Sequence, residues 1–264
     1  MNLKNTVYST SLALGFAISQ SFASAESKAI NALVEETQAA HNITAWWGKE
    51  VVQANVEVVF GGQAIVSGTF TFQAHGPFAR YDRADGTSII FDGKDAWLTP
   101  ANTTAPRGRF HVLTWPWFIM APFKIQGQGI HLSQLEERSA MGVDYTTILQ
   151  RFGEGVGDTP DDWYRFYINP ETQQIDMMSY IVTYGKGTEE ANQKPSIIKY
   201  FDYTDAGGPL ISTHYEFWFW DTEKLTVVGE KPKGTGTVTG INYLSHDPKL
   251  FEVPSDARKL ELPN

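Results

Sequence analysis

VVQANVEVVFGGQAIVSGTFTFQAHGPFARYDR, residues 51–83, is the stretch whose reading decides the fold. It holds three runs rich in β-branched and aromatic residues, Val51–Phe60, Ile65–Ala74 and Phe78–Arg83, divided by Gly61-Gly62 and Gly76-Pro77. Period-two runs bounded by Gly and Pro read as strands joined by tight turns. Between Gly68 and Gln73 the alternation is clean, with Phe70 and Phe72 on one face and Thr69, Thr71 and Gln73 on the other.

Further strands are expected at Thr87–Phe91, Ala96–Thr99, Val143–Phe152, Trp163–Asn169, Ile175–Tyr184, Ile197–Tyr203, Leu210–Trp220 and Thr237–Leu244. Turn chemistry separates them at Asp92-Gly93, at Asn169-Pro170-Glu171-Thr172 and at Asp205-Ala206-Gly207-Gly208-Pro209. About eleven short strands at hairpin spacing predict a meandering antiparallel sheet. No 20–50-residue repeat and no Pro/Ser-rich linker divides the chain, so residues 26–264 read as one domain.

Upstream the period is helical. Ile30, Leu33, Val34 and Thr37 share one face, and His41-Asn42 is a plausible stop. Before that helix, Lys4 precedes a mostly apolar run, Val7–Ile18, and the small-residue site Ala23-Ser24-Ala25. This is the order of a secretory signal peptide over residues 1–25, and the run is too short to span a bilayer. The bland alternative is a buried N-terminal helix. A leader predicts a periplasmic protein without stable membrane insertion.

Composition narrows the function. The chain has 264 residues, no cysteine, 42% hydrophobic and 19% charged residues, and a net charge of −9. Without cysteine there is no disulfide, Cys-ligated metal, thiol nucleophile or lipid-modified N-terminal Cys. An acidic chain with no basic block argues against nucleic acid. No G-x-S-x-G, H-E-x-x-H, P-loop or EF-hand pattern is present, and the six histidines form no i, i+2 or i, i+4 pair, so neither a metal nor another cofactor is called for. Lys233–Gly240, KGTGTVTG, lacks the strand-to-helix context of a phosphate cradle and reads as a flexible hairpin entry. Asp158, Asp161 and Asp162 follow the Gly-rich turn 153–157; they fit a solvated loop better than a calcium site or an acid/base pair. Asn42-Ile43-Thr44 and Asn102-Thr103-Thr104 fit a glycosylation acceptor pattern too short to discriminate anything.

The aromatic residues are the remaining signal. Arg109–Lys124, RFHVLTWPWFIMAPFK, is nearly continuous in large apolar groups, while Pro116 and Pro122 forbid a regular central strand or a long helix. It reads as one or two short kinked helices that either plug the sheet as core or cap a cavity as a lid. Phe217-Trp218-Phe219-Trp220 puts rings on both faces of a strand, and Met177-Met178 does the same with thioethers, so both sheet faces are at least partly covered.

The order of elements then resembles the LolA/LolB-like superfamily of periplasmic lipoprotein carriers, and more closely its uncharacterised secreted members. The pieces that carry the resemblance are the G-P-F-x-R-Y turn Gly76–Tyr81, the hairpin Phe91-Asp92-Gly93-Lys94-Asp95-Ala96-Trp97-Leu98, the Pro-containing aromatic helix, the N-P-E-T hairpin and the closing Leu250-Phe251-Glu252-Val253-Pro254. The resemblance implies an open antiparallel β-barrel of about eleven strands, covered by helices over an apolar cavity that in the carriers holds lipoprotein acyl chains. Two departures stand out. The carriers' Arg-Pro pair is replaced by His75-Gly76-Pro77, with the nearest arginine at Arg80, and the chain is longer, chiefly through residues 186–195 and 221–240.

The expectation is a non-catalytic, monomeric carrier of a lipidic or acyl-chain ligand. Trp115, Trp117, Phe118, Met120 and Phe123 would form its lid, and Phe72, Trp97 and Met178 its cavity wall. Two competing readings are an all-β hydrolase using Asp161/Asp162 or Glu216, and a carbohydrate or protein interaction module displaying tryptophans on an open surface.

Overall fold

In the computed structural model, which describes residues 10–262, the three opening runs become β1 (Val51–Phe60), β2 (Gln63–Gln73) and β3 (Ala79–Arg83). Gly61 and Gly62, with φ of 57° and 81°, form the tight turn between the first two, a conformation that suits the twist of a hairpin. Val52, Ala54, Val56 and Val58 alternate inward along β1, as do Phe70 and Phe72 along β2 and Ala79 and Tyr81 along β3. The chain continues through β4 (Ser88–Phe91) and β5 (Ala96–Thr99), α3 (Gly108–Ile119), then β6 (Ile130–Ala140), β7 (Val143–Phe152), β8 (Trp163–Ile168) and β9 (Ile175–Tyr180). After a short helix α4 (Thr188–Asn192) come β10 (Ser196–Asp205), β11 (Leu210–Asp221), β12 (Thr226–Val228), β13 (Gly234–Leu244) and β14 (Arg258–Leu260).

All fourteen strands belong to one antiparallel sheet in the order β14-β5-β4-β3-β2-β1-β13-β11-β10-β9-β8-β7-β6, with β12 beside β11. Two meanders, β1–β5 and β6–β11, are thus joined by β13, which pairs with β1 and β11. The edges β14 and β6 do not pair with one another, so the barrel is open. This topology places α3: the connection from β5 to β6 runs from one side of the sheet to the other, and it carries the helix across the concave face. Val112, Trp115, Phe118 and Ile119 of α3 are buried in the same core as the inward residues of the strands.

The expected number of strands was about eleven. The three additions have weak signals for physical reasons: β6 is a polar edge strand interrupted by a bulge between Ser133 and Glu136, and β12 and β14 are three residues each. Lys233–Gly240 is a correction. It is no flexible entry, because β13 begins at Gly234 in the middle of the sheet. A Cβ at Gly234 would lie 2.7 Å from the Phe60 ring, so glycine there allows that ring to pack onto the strand.

The helix expected from Ile30, Leu33, Val34 and Thr37 is part of α1 (Thr10–Ala40), with Ile30, Val34 and Thr37 buried. It ends at the predicted stop, where Asn42 takes a left-handed φ of 58° and its side chain accepts from the Ala45 N–H of α2 (Ile43–Trp47). The signal peptide expected over residues 1–25 falls on residues 1–9, outside the described residues, and on the first part of α1, whose side chains are not described. No helix among the described residues is long and apolar enough to cross a membrane.

Rings lie on both faces of β11, as expected. Phe217 joins the concave core, while Trp220 joins a second cluster on the convex face with Tyr145, Tyr167, Met177 and Ile197, partly covered by Leu225 and Val227.

The β2–β3 contact sets a test of the packing. A Cβ on Gly68 would sit 2.1 Å from the Asp82 carbonyl oxygen, whereas one on Gly86, at a turn with φ of 83°, meets nothing within 4 Å. Gly68→Ala is expected to cost about 2–3 kcal/mol in urea denaturation, and Gly86→Ala about 1 kcal/mol. Equal losses would show that the strands separate freely at Gly68.

Candidate functional site

The segment 109–124 folds as α3 followed by a 3-10 turn, Ala121–Phe123, which contains the second proline. Pro116 sits inside α3 near its C-terminal end, where its missing N–H leaves one helical hydrogen bond unmade. Both ends are fastened. At the N-terminal turn Arg109 donates to both carboxylate oxygens of Asp158 (Nε at 2.7 Å, Nη2 at 2.8 Å) and to the Lys94 carbonyl at 3.1 Å. The two charged side chains are only 8% and 12% exposed, and Asp158 supports the high pKa of the guanidinium. Beyond the C-terminal end, the buried Gln150 of β7 donates to the Lys124 and Ile125 carbonyls at 2.9 and 2.8 Å.

Held this way, α3 stands between two hollows. The larger, about 970 Å³, lies between α3 and the strands, walled by Phe60, Tyr81, Ile89, Trp115, Phe118, Tyr180 and Phe217. The smaller, about 220 Å³, is walled by Leu113, Trp117, Phe152 and Tyr164. Phe110, Thr114, Phe118, Val182 and Tyr184 line both. A void of this kind survives because rings cannot fold into it: Trp115 is locked by an Nε1–H bond to His111 Nδ1 at 3.1 Å, and Phe118 packs against Tyr180 and Tyr164 with centroids at 5.2 and 6.5 Å.

Of the residues expected at the site, Trp115 and Phe118 line the large cavity, and Trp117 and Phe118 the small one. The other five line neither. Phe72 and Met178 point inward but are fully enclosed in the core. Met120 is buried at the end of α3, and Phe123 stacks on Trp46 at 4.3 Å. Trp97 alternates onto the opposite face of β5 from the core residues Ala96 and Leu98, and its Nε1–H binds Asp92 at 2.7 Å.

Sequence reasoning missed Tyr180, Tyr184, Phe60 and a group of cations, Arg83, Arg107, Lys186, Lys194 and Lys233, that line the large cavity. The period-two pattern marked Tyr180 and Phe60 as strand residues, but only the curl of the sheet shows which face they share.

The carboxylates of the hydrolase reading are engaged structurally. Asp158 is spent on Arg109. Asp162 is buried rather than solvated: its carboxylate accepts from the Thr183 N–H and hydroxyl and from the Thr159 hydroxyl at 2.7–2.8 Å, and burial raises its pKa. Glu216 accepts from Trp218 Nε1 at 3.0 Å, and Asp161 is exposed. Among the described residues no cluster of three or more His, Asp or Glu has a metal-binding arrangement. His75 stacks on Trp47 at 5.0 Å.

The fold defined by these elements, an open antiparallel barrel with a helix laid across its hollow, is LolA-like. A LolA superfamily protein from Nitrosomonas europaea has this fold with a TM-score of 0.51 at 9% identity, covering 84% of this chain and 97% of that one. A DUF1329 family protein from Desulfovibrio piger (0.49, 11% identity, 84% and 96% covered) and a putative outer membrane lipoprotein-sorting protein domain from Vibrio parahaemolyticus (0.48, 7% identity, 83% and 94% covered) are also similar. Residues 111–208, from the first turn of α3 to the turn after β10, match the model of a family of unknown function, DUF6503. No curated protein matches the sequence.

Two outcomes follow. Asp158→Ala leaves Arg109 charged in a largely buried position. It is expected to cost about 3 kcal/mol and to speed hydrogen exchange of the α3 amides ahead of the β1–β2 amides; uniform acceleration would show that α3 is not separately anchored. Buried His41 hydrogen-bonds through Nδ1 to the Leu210 carbonyl at 3.3 Å and accepts from the Ile175 N–H at Nε2, 3.2 Å, so it must be neutral. Burial, opposed by the Leu210 carbonyl, lowers its pKa from 6.5 to about 4. Between those values the unfolded chain binds a proton that the folded chain refuses, so this stability is complete above pH 6.5 and is lost as pH falls toward 4. Urea titrations at pH 7 and 5 should show the loss, and His41→Phe, weaker at neutral pH, should show a flatter dependence.

Proposed function

We propose that the protein is a non-catalytic carrier that shelters an acyl chain or similar lipidic ligand in the cavity beneath α3. The single observation behind this reading is that cavity: about 970 Å³, half open to solvent, walled mainly by aromatic and aliphatic side chains and bounded on one side by a helix pinned at both ends. Its size is within the range of small-molecule pockets.

The energetics suit reversible loading. Each buried methylene contributes about 0.8 kcal/mol, so ten give roughly 8 kcal/mol before association costs of about 4–15 kcal/mol. Affinity is then modest and spread over the wall, with no single polar residue dominating. We also propose that residues 1–25 are a leader removed on export, that residues 26–264 act as one periplasmic domain, and that the carrier works as a monomer.

Thr114, which faces both hollows from α3 and is only partly buried, is the site at which to fill the cavity without opening the core. Thr114→Trp is expected to weaken binding of a fluorescent fatty-acid probe at least tenfold, with far-UV circular dichroism unchanged. Undiminished affinity in a folded variant would remove the cavity from the account.

A further inference from the structure

The large cavity has an electrostatic character opposite to that of the chain. The protein has 30 acidic against 21 Lys and Arg residues, yet Arg83, Arg107, Lys186, Lys194 and Lys233 all line this one space, and among the described residues no Asp or Glu does. These cations come from separate parts of the fold: the end of β3, the residue before α3, the two sides of α4, and the entrance to β13. Like charges brought together from separate segments repel one another, a cost that an arriving anion relieves.

Their partners sharpen the point. Arg83 is paired with Asp85 at 3.0 Å. Among the described residues the other four form no ion pair within 4.0 Å. Arg107 lies over the Phe110 ring at 4.5 Å and the Tyr184 ring at 5.7 Å. Lys233 donates to the Ser196 hydroxyl and lies over the Phe219 ring at 4.4 Å. These are neutral contacts that hold the long side chains in place and leave their charge uncompensated. Burial, with Lys186 nearby, pulls the Lys233 ammonium down to about 8. The apolar wall and the cations belong to the same space, so a ligand that satisfies both has a hydrocarbon body and a negative end.

We propose that the cargo is an anionic amphiphile, its carboxylate or phosphate head held by Arg107, Lys186, Lys194 and Lys233 and its chain lying against Trp115, Phe118 and Phe217. This rests on the carrier reading above and adds the chemistry of the head group, which that reading leaves open.

The test displaces a bound neutral probe, N-phenyl-1-naphthylamine, from the full chain with twelve-carbon competitors that differ only in the head: dodecanoate, dodecyl phosphate, dodecanol and dodecyltrimethylammonium. The two anions are expected to displace it at least tenfold more tightly than the alcohol at low salt, with the cation weakest and the advantage reduced in 0.5 M NaCl. Lys186→Gln with Lys233→Gln should bring the anions close to the alcohol while the affinity for the neutral probe is kept, which also reports that the variant is folded. Anions no better than the alcohol, with the probe still bound, would overturn the head-group assignment and leave the carrier reading standing. Failure of the probe and all four competitors to bind would overturn both. Inorganic phosphate and acetate separate a lipid head from a free anion. They are expected to leave the probe in place, and displacement by either at low millimolar concentration would mean a small-anion site rather than an amphiphile site.

Discussion

The pairing of Arg109 with Asp158 is the contact on which the rest of the architecture leans. It links the first turn of α3 to the loop between β7 and β8, and the Lys94 carbonyl and Asp95 carboxylate, the latter 3.9 Å from the guanidinium, extend the link to the β4–β5 hairpin. Those two loops belong to different meanders, so one side chain sets the position of the helix relative to both halves of the curled sheet. A largely buried ion pair is a poor source of net stability compared with an apolar replacement, but it is intolerant of misplacement. Here that intolerance has a use, because the helix position defines the dimensions of the hollows on either side of it.

A strongly curled sheet this wide has more interior than its own side chains can fill. The inward residues of β13 show how the space is apportioned. Gly234 and Gly236 thin the wall where Phe60, Tyr215 and Phe217 approach, and the Cβ that Gly236 lacks would lie 3.3 Å from the Tyr215 ring. The rings crowd toward the strand there, and the cavity opens beyond them toward α3. At the opposite side, His41 fastens the end of α1 to β9 and β11 through three hydrogen bonds, one from the Leu210 N–H to its carbonyl and two on its ring.

Most of the architecture was legible because period-two alternation and turn residues report directly on strand geometry. Phe70 and Phe72 share a face as expected, Met177 and Met178 divide between the two sheet faces, and α1 ends at His41-Asn42. The short strands and β6 were not legible, since an edge strand with one solvated face carries little hydrophobic signal. The site was legible only in part. The density of large side chains in residues 109–124 marks a segment that must be covered, but density does not distinguish a ring that lines a void from one that fills a core, which is why Trp115 and Phe118 line the cavity while Met120 and Phe123 are packed solid. Trp97 shows a related limit: the period-two pattern places it on β5, but its face is opposite to that of the core residues Ala96 and Leu98.

The cations of the cavity could not be found by pattern at all. Lys186, Lys194 and Lys233 lie between the period-two runs, after Tyr184 and before Ile197 or after Trp220 and before Thr237, where no periodicity constrains the reading. They share one space only because the segments flanking α4 and the start of β13 line the same cavity as the residue before α3. Apolar burial alone is nearly indifferent to which greasy molecule fills a hollow, because the effect scales with area and has no direction. Charge at one end has direction. An otherwise permissive cavity would thus gain an orientation for its ligand, with the head at the cationic mouth and the chain beneath α3, and selectivity would come from the residues that pattern could not reveal.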